Sequence, residues 1–137
     1  MIVCLPNFLL CRTMQMVEIL LIFLGVYVIL KKTKEGRSMV KHIVMFRFFD
    51  EISTEERQVK AQEIKEKTEA LKEQIAGIGQ LQVFIAPVGT STHSFMLEGL
   101  FDSVEALDCY QVHPAHLAVG TIIKSVAGER ACFDYEV

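Results

Sequence analysis

Residues 40–137 alternate between two kinds of hydrophobic periodicity, and this alternation restricts the chain to a small set of α+β folds. The first stretch, Val40–Phe48, changes character at every second residue, which is typical of a β-strand. One face carries His42, Val44, Phe46 and Phe48, and the other carries Lys41, Ile43, Met45 and Arg47. Because both faces are partly apolar, we expect this strand to be covered on both sides.

A long helix is predicted after this strand. Ser53-Thr54-Glu55-Glu56 has the order of a capping box, in which the serine side chain accepts a hydrogen bond from the first helical turn. Small or apolar residues then recur at three- and four-residue steps, as on the buried side of a helix. They are Ala61, Ile64, Thr68, Leu71 and Ile75. Gly77 suits the left-handed position that follows a helix.

Two further strands follow this helix, and the pattern predicts that they form a hairpin. Leu81–Ala86 and Phe95–Phe101 are rich in β-branched and aromatic residues, and a loop of glycine, proline, serine and threonine joins them. Asp102-Ser103-Val104-Glu105 has the order of a second capping box. We therefore expect a second helix to begin directly after the hairpin.

The second helix is expected to break at His113-Pro114. A residue that precedes proline is pushed out of the α region, whereas proline itself suits the first position of a new helix. A new segment is therefore predicted at about Ala115 to Val126, with Gly128 closing it. Ala131–Val137 then forms the last strand.

The resulting order, β-α-β-β-α-β, is the ferredoxin-like split βαβ arrangement of the α+β class. Its four-stranded sheet has helices on one face only. The strands carry more apolar side chains than one layer of helices can cover, namely His42, Val44, Phe46, Val83, Ile85, Phe133 and Tyr135. We expect a twofold partner to pack sheet against sheet, which gives a homodimer.

Residues 1–38 form a separate hydrophobic extension of the domain at 39–137. The apolar run at 16–30 is short for a membrane-spanning helix, and Lys31, Lys32 and Lys34 follow it directly. If the run is an anchor, these lysines keep the domain in the cytoplasm. A secretory signal peptide fits poorly, because such a peptide carries its basic residues before the apolar run. Alternatively, translation begins at Met39, and the extension is a spurious start; the domain is then cytoplasmic.

Charge makes nucleic acid an improbable partner. The first 38 residues hold five basic and two acidic residues, which leaves 9 basic and 15 acidic residues and a net charge of −6 for residues 39–137. An acidic domain repels phosphate backbones. The four cysteines lack the spacing of a zinc knuckle, so we interpret them as small buried side chains in a reducing compartment.

Three stretches of the domain resemble the stress-responsive dimeric A/B barrel (Dabb) family. They are VKHIVMFRF at the start, FDSVEALDCYQVHPAH in the middle and FDYEV at the end. The resemblance covers residues 39–137 nearly end to end, and its Y-x-x-H-P-x-H element is the most specific part. It implies a homodimer whose two sheets close into a barrel, with a cavity between the sheet and the helices of each subunit.

One plant branch of this family, similar to olivetolic acid cyclase, folds a linear polyketide by aldol condensation without a cofactor. The resemblance puts its acid/base pair at Tyr110 and His116. His42, His113 and Asp134 match further family positions and are expected to bind substrate. The implied ligand is a small aromatic or polyketide-like compound.

The chemistry of these residue types agrees with that expectation. Histidine titrates near neutral pH, so His116 could move a proton from carbon, and Tyr110 could donate to a developing oxyanion. A carboxylate such as Asp134 could hold the second ring nitrogen of His116 and fix its tautomer. No metal site is expected, because Pro114 interrupts the helix between His113 and His116 and no third ligand is evident nearby.

Simpler roles remain open for the same residues. Tyr110 could be a core aromatic residue, and His42 could be an interior histidine. His113 and Pro114 could together serve only to break the helix. The alternatives to a cofactor-independent cyclase, lyase or isomerase are therefore a non-catalytic dimeric module that binds a ligand or acts in stress response, and a cofactor-free monooxygenase. The Y-x-x-H-P-x-H element argues against the monooxygenase.

Overall fold

The computed structural model describes residues 38–137, which form one α+β unit. In chain order its elements are β1 (Val40–Phe48), α1 (Thr54–Glu69), a 3₁₀ turn (Ala70–Glu73), β2 (Ile78–Phe84), β3 (Phe95–Phe101), α2 (Val104–Val112), α3 (Pro114–Val126) and β4 (Ala127–Glu136). The strands form one antiparallel sheet in the order β2-β3-β1-β4. The predicted ferredoxin-like order is confirmed, with the second helix divided in two.

The helices cover one face of this sheet and bury its core. All five residues of the predicted stripe on α1 and the turn after it are buried, as are Val40, Val44 and Phe48 of β1. The alternate residues of β1 face the other side, where Ile43 and Met45 are only partly covered. The expectation that the strand is covered on both sides therefore holds fully on one side and only in part on the other.

The open face of the sheet carries exposed aromatic side chains beside the ion pair of Lys41 with Glu98. Directly paired residues share a face, so the ladder puts Phe133 and Tyr135 of β4 beside Ile43 and Lys41 of β1. Phe133, Tyr135 and Phe84 are exposed. Of the apolar set predicted to need a partner, Phe133 and Tyr135 lie on this open face, whereas His42, Val44 and Val83 belong to the helix side.

Three predicted boundaries were wrong by a few residues. Ser103, not Asp102, caps α2, because the amide of Asp102 donates to the carbonyl of Gly77 while the Ser103 hydroxyl accepts from Ala106. β2 begins at Ile78, since the ladder with β3 continues to Phe101. β4 begins directly after α3, so Gly128 lies within a strand and does not close the helix.

No helix within residues 38–137 is long and apolar enough to cross a bilayer. The apolar run at 16–30 lies outside the described residues, so the prediction about an anchor or a spurious start is unaffected.

Gly77 offers a test of the turn between α1 and β2. Its φ is +85°, and a Cβ there would lie 2.8 Å from the Cβ of Ala106. We expect Gly77→Ala to lower the free energy of unfolding by about 1–3 kcal/mol in urea denaturation, through backbone strain and this contact. The matched control is Gly89→Ala, because a Cβ at Gly89 meets nothing within 4 Å. Equal stability of the two variants would contradict this account.

Candidate functional site

The break between α2 and α3 is where the central motif of the sequence lies. His113 has extended backbone angles, φ −67° and ψ 134°, and serves both as the last cap of α2 and as the first cap of α3. Its Nδ1 accepts a hydrogen bond from the amide of Ala115 at 3.2 Å. The ring therefore satisfies an amide in the first turn of the new helix, which agrees with the reading of His113 and Pro114 as a helix-breaking device.

This break brings Tyr110 and His116 together. Their ring centroids are 4.3 Å apart, with the planes tilted by 45°. Nδ1 of His116 lies 3.0 Å from the carbonyl oxygen of Gln111. Because a carbonyl oxygen can only accept, Nδ1 carries the hydrogen and the neutral ring keeps the lone pair of Nε2 for another partner.

Tyr110 belongs to an aromatic group inside the domain. It is 1% exposed, and its ring lies 5.0 Å from that of Phe101 and 6.2 Å from that of His42. The ring of Phe101 folds over Gly99, where a Cβ would come within 2.6 Å of it. Gly99 therefore makes room for one wall of the Tyr110 environment, a role that the sequence pattern alone did not indicate.

Burial moves the pKa values of Tyr110 and His116 in opposite directions. Burial raises the pKa of the Tyr110 hydroxyl, so this group stays protonated at neutral pH. Burial also lowers the pKa of His116 from its ordinary 6.5; the hydrogen bond to Gln111 opposes this, and the charges of His42, Arg130 and His113 add to it. At neutral pH the pair thus consists of a neutral acid and a neutral base.

His42 and Asp134 form a second arrangement at the junction of β1 and β4. The two residues face each other across the ladder, and Nδ1 of His42 lies 2.6 Å from Oδ1 of Asp134. His42 is 3% exposed, so it is an interior histidine held by a carboxylate. The expectation that Asp134 would hold His116 was wrong. The pairing of β1 with β4 places Asp134 opposite His42, and the partner of His116 is the carbonyl oxygen of Gln111 in the preceding helix.

Cys132 joins this arrangement, although the sequence gave no reason to single it out. Its sulfur lies 3.6 Å from Oδ1 of Asp134 and 3.9 Å from Nδ1 of His42. Cys132 and Cys109 are both exposed, so the prediction that they are buried was wrong. The available signal was the two-residue spacing of Cys132 and Asp134, which puts them on one face of a strand.

The thiol of Cys132 is poorly suited to nucleophilic catalysis. Partial burial of the sulfur and the negative charge of Asp134 raise its pKa, and the neighbouring Arg130 opposes this only in part. Nδ1 of His42 is already engaged by Asp134. The thiol therefore stays protonated at neutral pH.

The described concavities lie elsewhere on the domain. A groove of about 560 Å³ runs between the start of α1 and the β2–β3 loop, lined among others by Arg47, Arg57 and His93. Two smaller concavities lie beside Asp50 and beside Phe84. None of these three includes Tyr110 or His116, so the predicted cavity beside that pair does not correspond to them.

Comparison with known proteins decides the family. The family model described as Stress responsive A/B Barrel Domain (Dabb) matches residues 40–137. The chain belongs to the Dabb family. The resemblance read from the three sequence stretches is thereby confirmed, whereas no curated protein matched the chain.

Solved structures agree with this Dabb assignment. A dimeric protein of unknown function with a ferredoxin-like fold from Bacteroides fragilis is 36% identical, with 72% of this chain and 96% of that chain covered and a TM-score of 0.69. A dimeric ferredoxin-like protein from Thermobifida fusca is 20% identical, with 73% and 92% covered and a TM-score of 0.62. A hydroxynitrile lyase from Passiflora edulis is 15% identical, with 74% and 95% covered and a TM-score of 0.60. The last two likenesses concern the fold alone.

The state of His116 in this Dabb domain can be measured by NMR. We expect a titration midpoint below 6.5 and a neutral tautomer with its hydrogen on Nδ1, because the ring is half-buried and bonded to the Gln111 carbonyl. Stability should accordingly fall as the pH drops below 6.5 through the folded-state pKa, since the unfolded chain then binds more protons. The imidazole signal that disappears in the His116→Asn variant is the signal of His116. A midpoint at or above 6.5, or the Nε2–H tautomer, would contradict the geometry.

Proposed function

We propose that this Dabb domain binds a small carbonyl compound and catalyses a cofactor-independent proton transfer with Tyr110 and His116. The observation that supports it best is the meeting of these two rings, 4.3 Å apart, at the helix break. His116 keeps its Nε2 lone pair because Nδ1 is bound to Gln111, and Tyr110 keeps its proton because it is buried. This is a complete acid/base pair.

The proposed reaction needs only these two groups. Nε2 of His116 takes the proton from the carbon next to a carbonyl group, and the C–H electron pair becomes the enolate. The Tyr110 hydroxyl donates a hydrogen bond to the enolate oxygen. The enolate carbon then attacks a second carbonyl or takes a proton at another position, and the imidazolium returns its proton to the product. An aldol cyclase and a keto–enol isomerase share this first step, whereas a lyase acting on a hydroxy compound would use the same base on an O–H proton.

The remaining predicted site residues take supporting roles in this proposal. His113 sets the angle between α2 and α3 and so positions the pair. His42 lies edge-on to Tyr110, with its own Nδ1 held by Asp134. The fold is shared with a hydroxynitrile lyase, but fold alone does not carry a reaction from one protein to another, so the proposal rests on the pair itself.

Deuterium exchange tests the first step without knowledge of the natural substrate. Aryl methyl ketones incubated in D₂O with the protein should lose their methyl proton signal faster than in buffer. We expect His116→Asn to reduce this acceleration by about 10²-fold or more, because the general base is removed. Tyr110→Phe should reduce it while the fold, measured by circular dichroism, is kept.

The matched control for this experiment is His93→Asn. His93 lies in the loop between β2 and β3, and its Nδ1 is bound to its neighbour Thr92. The His93→Asn variant should accelerate deuterium exchange of the ketone as much as the unchanged protein does. Equal rates in His116→Asn and the unchanged protein would refute the role of His116, and no acceleration by the unchanged protein would refute enolisation of these ketones.

A second candidate is a dimeric binding module without turnover. The closure of the site favours it, because Tyr110 is 1% exposed and a substrate reaches its hydroxyl only when neighbouring side chains move. This candidate requires that a ligand bind equally well to the protein and to His116→Asn, with no chemical change in either case.

We also propose that the chain forms a homodimer through the open face of the sheet. The structural neighbours from Bacteroides fragilis and Thermobifida fusca are dimeric. On this chain the open face carries three exposed aromatic residues, Phe84, Phe133 and Tyr135, around the partly covered Ile43 and Met45. A second copy of the same face would remove this apolar surface from water.

An aspartate on that face should separate the subunits. Phe133 is 68% exposed on β4, and Phe133→Asp would bury an unpaired carboxylate in the proposed interface. We expect light scattering to find a dimer for the unchanged protein and a monomer for this variant. Val59→Asp is the control, because Val59 is equally exposed, at 67%, on α1. A monomeric unchanged protein, or a variant that remains dimeric, would refute the interface.

A further inference from the structure

Three different metal-binding side chains meet where β1 and β4 pair. They are His42, Cys132 and Asp134, and their ligand atoms all lie within 4.8 Å of one another. His42 and Asp134 are opposite each other in the ladder, and Cys132 is two residues before Asp134 on the same face. All three stand on paired strands, which hold ligands more firmly than a loop does.

The distances between these atoms are close to those required around one tetrahedral ion. Zinc bonds of about 2.0–2.3 Å imply separations of roughly 3.4 Å between nitrogen and oxygen and about 3.6 Å between sulfur and either of them. The sulfur lies 3.6 Å from Oδ1 of Asp134 and 3.9 Å from Nδ1 of His42. Only the 2.6 Å hydrogen bond between His42 and Asp134 is too short. Replacing the shared hydrogen with a zinc ion would lengthen the distance between Nδ1 of His42 and Oδ1 of Asp134 by roughly 0.8 Å.

We propose that His42 Nδ1, Cys132 Sγ and Asp134 Oδ1 form a zinc site with one open coordination position. The donor set favours zinc over magnesium or calcium, because hard cations prefer oxygen ligands and rarely take thiolates. Three protein ligands leave the fourth position to water or a small ligand. On binding, the thiol loses its proton, and the hydrogen on Nδ1 of His42 moves to Nε2 or leaves.

The local charges allow a cation here. The thiolate and the carboxylate supply two negative charges, whereas Arg130 is the cation beside Cys132. The ordinary protonation of the thiol does not prevent ligation, since a coordinating zinc ion removes that proton. This site shares no ligand with the proposed acid/base pair, because it uses neither His116 nor Tyr110, although His42 lies next to Tyr110.

The test is direct metal binding to the full chain after treatment with a chelator. Titration calorimetry with zinc should give one ion per chain, and cobalt should produce the near-ultraviolet absorption of a thiolate–cobalt bond. Cys132→Ser should abolish that absorption and weaken zinc binding at least about tenfold. Asp134→Asn should weaken zinc binding while the cobalt–thiolate absorption stays, which gives a second variant that does not depend on the cysteine.

Two controls cover the other cysteines. Cys109→Ser removes the second cysteine of the described residues, and Cys4→Ser with Cys11→Ser removes the two that lie outside them. Both controls should bind zinc and cobalt like the unchanged protein. No stoichiometric zinc binding, or a Cys132→Ser variant that binds both metals as before, would overturn the proposal. Neither result depends on catalytic activity, so the metal site can fail while the proposed proton transfer stands.

Discussion

Pro114 sets the geometry of the candidate site. It has no amide hydrogen and pushes His113 out of the α region, so α2 cannot continue into α3. Without this break, residues six apart on a straight helix would point in different directions. The break instead turns the start of α3 back towards Tyr110. The closeness of Tyr110 and His116 is therefore a property of the backbone, and it is independent of any ligand.

The two faces of the sheet have different roles. The helix side buries Val44, Phe101 and Tyr110, and this burial shifts the pKa of Tyr110 upwards and that of His116 downwards. The open side carries the exposed Phe133 and Tyr135, which the proposed second subunit would cover. Because side chains alternate along a strand, one residue of slippage in β4 would turn Phe133 and Tyr135 to the helix side and Asp134 to the open side. The register that places Asp134 opposite His42 thus also keeps Phe133 outside.

Sequence reasoning succeeded where the determinants were local. The stripe on α1 and the break at His113-Pro114 follow from spacing and from proline chemistry, and both were found. The cap of α2 was misplaced by one residue because the amide of Asp102 is taken by Gly77, a contact between distant parts of the chain. The partner of Asp134 was misassigned for the same reason, since it depends on the pairing of β1 with β4. Cys132 gained its neighbours only through that pairing.

His42 connects the two chemical groupings of the domain. One side of its ring faces Tyr110 at 6.2 Å, while its Nδ1 faces Asp134 and Cys132. Charge on this ring already contributes to the lowered pKa of His116. A zinc ion bound at Nδ1 would take the place of the hydrogen on that nitrogen, and the thiolate and the carboxylate beside it would balance its two positive charges. The strand junction and the helix break therefore have the His42 ring as a common neighbour, although the two sites share no ligand.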